Sequence, residues 1–110
     1  MRASFLISLT FAMAILAAPA LAADKSVTGK IVSFECGDNC YLTIKPKSGG
    51  EINALCSVDL CASWYETQEM PAKFKGRKVK ISLGTGKQVD GAGNDMGEYP
   101  EITKLTLVKK

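Results

Sequence analysis

The sequence predicts an all-β domain with one helix, its five strands closing a small barrel in the order β-β-β-α-β-β. Three observations carry that expectation. Five stretches alternate apolar and polar residues with the period of a half-buried strand. One stretch, Ser57 to Met70, changes to a helical period. All four cysteines fall between Cys36 and Cys61, as Cys36-Gly37-Asp38-Asn39-Cys40 and Cys56-Ser57-Val58-Asp59-Leu60-Cys61.

The barrel is expected to follow a leader. Met1-Arg2 gives a positive start, Phe5 to Ala18 is an apolar run, and Pro19-Ala20-Leu21-Ala22 ends it with small residues. This is the pattern of a secretory signal peptide over 1–22, cleaved after Ala22. The run is shorter than the ~20 residues of a spanning helix. Removing 22 of the 110 residues leaves 88, the expected domain 23–110. Of 14 basic residues, one (Arg2) lies in the leader, so 13 remain against 11 acidic, a net charge of +2. So mild a balance does not demand a polyanionic partner. No later stretch is apolar enough to span a membrane, so the product is expected to be soluble and periplasmic or secreted.

A domain of this size buries a thin core and gains from covalent staples. In an exported chain, four cysteines read first as two disulfides. The spacings Cys-x3-Cys and Cys-x4-Cys, with no histidine in the chain, fit a zinc site poorly.

The first strand is expected over Val27–Cys36, with Val32, Phe34 and Cys36 inward and Gly29 marking a bend or bulge. Gly37-Asp38-Asn39 makes the turn. Cys40–Lys45 and Glu51–Cys56 are the next two strands, joined by a hairpin turn through Gly49-Gly50. Pairing Cys36 with Cys40 sets Phe34 opposite Leu42 and Val32 opposite Ile44. Pairing Cys40 with Cys56 sets Leu42 opposite Ala54 and Ile44 opposite Ile52. Both registers keep apolar residues on one face.

A helix from about Asp59 to Met70 follows, with Trp64 as the plug of the core, and Pro71 ends it. Val79, Ile81 and Leu83 point inward on the fourth strand. The segment Gly84 to Pro100 reads as a long polar loop with five glycines, and Ile102–Val108 as the last strand.

The row of Cys36, Cys40 and Cys56 across three strands restricts the disulfides. Cys36 and Cys56 stand two strands apart, ~10 Å, beyond the ~7 Å that a bridge can span. Two pairings survive: Cys36–Cys40 with Cys56–Cys61, and Cys40–Cys56 with Cys36–Cys61. The first is preferred because both its bridges are local.

A three-strand meander, one helix and two further strands is the layout of the OB-fold, a five-stranded Greek-key barrel. The run Gly76, Val79, Ile81, Leu83 is similar to the fourth strand of many such barrels. The chain thus resembles small exported Gram-negative proteins of OB-fold-like architecture. The resemblance implies no catalytic residues.

Catalysis is not expected. Without histidine there is no Ser-His or Cys-His pair, no Cys-x-x-Cys is present, and no glycine-rich segment matches a phosphate cradle. Lys73, Lys75, Arg77, Lys78 and Lys80 form a basic run that reads as a solvated strand face plus a helix end, with a functional anionic contact, to lipid or glycan, as the alternative. Export and the shortage of outward aromatics disfavour nucleic acid.

The 84–100 loop is the most informative segment outside the core. Loops this long are commonly functional, and in OB barrels this one flanks the binding face. Tyr41, Lys87, Asp90, Asn94, Asp95 and Tyr99 are the candidate ligand-binding residues. A calcium loop would need an acid at Ala92 and a glycine at Asp95, so a turn-rich hairpin is preferred and no metal or cofactor is expected. Two functions compete. One is a non-catalytic binding module for a periplasmic protein, glycan or small molecule. The other is a metal- or redox-handling exported protein using Cys36, Cys40, Cys56 and Cys61.

Overall fold

The computed structural model describes residues 24–109; the expected leader, 1–22, lies outside them. The strands are β1 (Lys25–Cys36), β2 (Cys40–Pro46), β3 (Ile52–Cys56), β4 (Lys78–Val89) and β5 (Asp95–Leu107). A short helix α1 (Asp59–Ala62) and a 3₁₀ turn (Ala72–Phe74) lie between β3 and β4. The sheet closes in the order β1-β2-β3-β5-β4, with β4 returning to β1. All pairs are antiparallel except β3 with β5. This is an OB-like barrel, as the element order predicts.

The β1–β2–β3 meander keeps the predicted register at Cys36–Cys40, Phe34–Leu42, Leu42–Ala54 and Ile44–Ile52. One partner differs. Ile44 faces Ile31, not Val32, because the β1 register shifts between Ile31 and Ser33. A bulge inserts one residue and reverses the alternation beyond it. Ile31 is therefore buried and Val32 only half-buried.

Gly29 is the bend itself. It pairs with Pro46 of β2 and with Val79 of β4, so β1 passes there from one neighbour to the other. A Cβ on Gly29 would lie 2.6 Å from the Lys45 carbonyl oxygen and 2.8 Å from the Ile44 Cγ2. Only a residue without a side chain permits so close a crossing.

The core joins Ile31, Phe34, Leu42, Ile44, Ala54, Val79, Ile81 and Ile102 from the strands with Cys61 and Trp64 from the connection. Trp64, 4% exposed, meets Phe34 edge-on at 5.1 Å and Phe74 at 5.1 Å. Its expected role as plug is what the packing shows. On β4, Val79 and Ile81 are buried and Leu83 half-buried. A second irregularity, between Ser82 and Leu83, skips Thr103 so that Ile102 joins the core together with Leu105 and Leu107.

The disulfides are Cys36–Cys40 and Cys56–Cys61, the local pairing of the two that the sequence leaves open. The first closes the β1–β2 turn. The second ties the end of β3 to α1.

The helix is much shorter than expected. After Ala62 the chain continues in turns, with Trp64 N–H bonded to Cys61 O and Tyr65 N–H to Ala62 O, three residues back. Ser63 Oγ donates to Leu60 O at 2.5 Å, and Thr67 Oγ1 donates to Glu69 O at 3.2 Å. Such local side-chain bonds compete with helix propagation. Gln68, at φ +58°, then ends the segment in the left-handed region.

Candidate functional site

The segment expected as a loop over 84–100 is mostly strand. β4 and β5 run past the barrel as a two-stranded arm, paired from Gly84–Glu101 through Lys87–Glu98 to Val89–Asp95. Only Asp90 to Asn94 form its tip. There Gly93 takes φ +87°, its N–H bonds Asp90 O at 2.9 Å, and Asp90 N–H bonds Asn94 O at 3.0 Å. The candidate residues Asp90, Asn94 and Asp95 therefore build a hairpin turn. Asp90 Oδ1 accepts from the N–H groups of Ala92 (2.9 Å) and Asn94 (2.8 Å), and its Oδ2 accepts from Asn94 Nδ2 at 3.0 Å. Asp95 Oδ1 accepts from Gly97 N–H at 2.8 Å, and its Oδ2 meets Lys87 Nζ at 3.1 Å.

These bonds hold both carboxyls below the ordinary range. For Asp90 the main cause is the Asn94 N–H, followed by the Asn94 side chain. For Asp95 it is the Gly97 N–H, followed by Lys87. Their lone pairs are largely engaged within the turn.

The arm curls over the outer face of β2 and β3. Tyr99 of β5 meets Tyr41 of β2 in an edge-to-face pair, centroids 5.5 Å apart and planes at 81°. Tyr99 OH donates to Asn53 Oδ1 at 2.8 Å, and Asn53 Nδ2 donates to Thr43 Oγ1 at 2.9 Å. Tyr41 OH donates to Gln88 Oε1 at 2.6 Å. At the tip, Asn39 of the first turn bonds both backbone groups of Val89. Two half-buried rings from strands distant in sequence thus meet edge to face, each with its hydroxyl held by its own polar partner. Of the candidates, Tyr41 and Tyr99 are brought together, and Lys87 and Asp95 form an ion pair. Asn39, Asn53 and Gln88 are partners that sequence reasoning missed.

A cleft of about 380 Å³ opens between the first turn and the base of the arm. Asp38, Asn39, Lys87, Glu101, Tyr65 and Gln68 contribute to its walls. Tyr65 OH donates to Cys56 O at 2.8 Å. Burial pushes its pKa up, and the Glu101 carboxylate adds to the shift. The exposed apolar side chains Val89 and Met96 sit on the arm.

The expected basic run does not form one patch on one element. Lys78 and Lys80 point outward on β4, while Lys73 lies on the 3₁₀ turn with its ammonium 5.4 Å from the Phe74 ring centre. Arg77 Nε is buried with no hydrogen-bond partner among the described residues.

Among the described residues, no helix is long and apolar enough to cross a membrane. No protein-family model and no curated protein matches the chain.

Proposed function

We propose that this chain is an exported, non-catalytic binding module of the kind seen in small OB-like barrels, acting in the periplasm or outside the cell. Its contact surface is the face framed by the first turn, Tyr41, Tyr99 and the β4–β5 arm. The observation that carries this reading is the Tyr41–Tyr99 pair. Two aromatic rings are held half-exposed beside a polar cleft, with both hydroxyls fixed by Gln88 and Asn53. Amphipathic rings on a rigid support give contact area at little entropic cost. The mixture of hydroxyls, amides and one ion pair suits a polar ligand that offers both donors and acceptors, and a glycan fits that description best.

The two disulfides and the leader-like 1–22 segment support export. The competing metal or redox role needs thiolates. All four cysteines are in bridges, and Cys56 and Cys61 are buried, which counts against it. A thiol count on protein taken from the periplasm tests that point; free thiols would restore the rival reading.

Amide shift mapping against a panel of neutral oligosaccharides tests the binding face. The expected result is saturable shifts at Tyr41, Lys87, Tyr99 and Glu101, lost in Tyr41→Ala. No shift from any member of the panel, or shifts that survive Tyr41→Ala, would remove the glycan reading.

A further inference from the structure

The pairing of β1 with both neighbours produces a row that no single stretch of sequence displays. Lys30 lies opposite Lys45 on β2 and opposite Lys78 on β4. Three lysines therefore stand side by side on three consecutive strands. All three are exposed on the outer face. Neighbouring Cα atoms in an antiparallel pair are ~4.5–5.5 Å apart, so the row spans about 10 Å.

Like charges directly opposite one another disfavour strand pairing. A row built for stability alone would alternate lysine with a carboxylate. Here none of the three has a carboxylate within ion-pair distance among the described residues, where the ion pair is Lys87–Asp95. Among the described residues, the polar contacts in the row are two, from Lys45 Nζ to the carbonyls of Gly49 (3.1 Å) and Pro46 (3.5 Å). They aim that ammonium at the β2–β3 turn and leave donor capacity unused.

The row also lines a depression. Thr28, Gly29, Lys30, Lys45, Lys47 and Lys78 surround a groove of about 580 Å³. Gly29, between Thr28 and Lys30, contributes to its wall. A concave site lined by one sign of charge concentrates the field and the counter-ions it attracts.

We infer that the Lys30–Lys45–Lys78 row is a binding site for a phosphate-bearing ligand, with Lys47 at its rim. Phosphate suits it better than a carboxylate. A phosphomonoester brings about −1.5 to −2 charge and three acceptor oxygens within one small group, so several ammonium groups can share it. Lysine binds it as a point charge and needs no bidentate geometry. The site is separate from the Tyr41–Tyr99 face: Lys45 lies four residues along β2 from Tyr41, about 13 Å. Either site can fail without the other. The phosphate could arrive free, on a soluble ligand, or as a lipid headgroup.

Amide shift mapping of the purified protein with inorganic pyrophosphate, paired with co-sedimentation on vesicles, separates these sources. Saturable shifts at Gly29, Lys30, Lys45 and Lys78, with no vesicle binding, would identify a soluble phosphate ligand. Binding to phosphatidylglycerol vesicles but not to pure phosphatidylcholine vesicles would identify a headgroup. In either case Lys30→Gln is expected to weaken binding about tenfold, the loss of one charge-assisted contact, while Lys104→Gln on β5 leaves it within about twofold. Equal weakening by the two substitutions would mean diffuse attraction and overturn the site. So would the absence of both pyrophosphate shifts and vesicle binding. Lys30→Gln relieves repulsion from two neighbours, so it is expected to melt no lower than the parent. A lower midpoint would make Lys30 a structural residue and overturn the proposal.

Discussion

Asn39 grips Val89, fifty residues away, by both backbone polar groups: its Nδ2 donates to Val89 O at 2.8 Å, and its Oδ1 accepts from Val89 N–H at 3.2 Å. The amide copies the pairing that a neighbouring strand would supply. It pins the arm to the first turn, which the Cys36–Cys40 bridge already closes. Disulfide, turn and arm therefore act as one unit, and the binding face inherits its shape from that unit.

Asn39→Ala removes both bonds. Val89 is exposed, so water can replace them, and the net cost is expected to be about 1 kcal/mol. The local effect should be larger than the global one. Amide exchange at Val89 is expected to accelerate well beyond any change in the barrel strands. Unchanged exchange would show that the Tyr41–Gln88 and Tyr99–Asn53 bonds and the β4–β5 pairing hold the arm without Asn39.

Trp64 fastens the connection between β3 and β4 to the barrel. Hydrogen bonds attach the segment at its edges, Tyr65 OH to Cys56 O and Gly76 and Arg77 to Ile31, while the ring between Phe34 and Phe74 and the Cys56–Cys61 bridge anchor its middle. Trp64→Ala is expected to cost about 3–5 kcal/mol, read as a lowered urea midpoint. A midpoint near that of the parent would mean that the segment moves independently of the core.

Much of this fold is legible in the sequence because its determinants are local. The alternation in Cys40–Lys45 and Glu51–Cys56 fixes which residues face inward, and the Cys row then removes one disulfide pairing. Where the alternation is interrupted, the reading fails. Val32 is as apolar as Ile31, and nothing in the residues says that a bulge reverses their roles. Ile102 enters the core through a similar irregularity at Ser82–Leu83. Ser57 to Met70 carries a helical period, but Ser63, Thr67 and the left-handed Gln68 divert the backbone after one turn. The glycines of Gly84 to Pro100 suggest a loop; cross-strand pairing overrides that preference, as it commonly does for strands.

The candidate site divides in the same way. Tyr41 is visible as an outward aromatic on a central strand. Its partnership with Tyr99 is not, since it depends on how the arm curls. Asn39, Asn53 and Gln88 give no signal at all, because each is an ordinary polar residue until its distant partner arrives. The lysine row is hidden for the same reason: Lys30, Lys45 and Lys78 become neighbours only through two strand pairings.

The arm tip supplies a test by pH. Asp90 and Asp95 have their carboxyls held below the ordinary value by N–H groups that bond the ionised form. A depressed folded-state pKa adds stability that is complete above the unfolded value, about 3.9, and is lost as pH falls through the folded value. The tip is therefore expected to stay ordered through the ordinary carboxylate range and to loosen only at lower pH. Carboxyl titration by NMR should place both midpoints below those of free aspartate, with the Asn94 amide shift following Asp90. Asp90→Asn keeps an oxygen acceptor but removes the charge, so the Asn94 shift should then stay flat with pH. A normal midpoint for Asp90 would mean that the Asp90–Asn94 turn does not form in solution. The Asn39–Val89 grip would then have to hold the arm without an ordered tip.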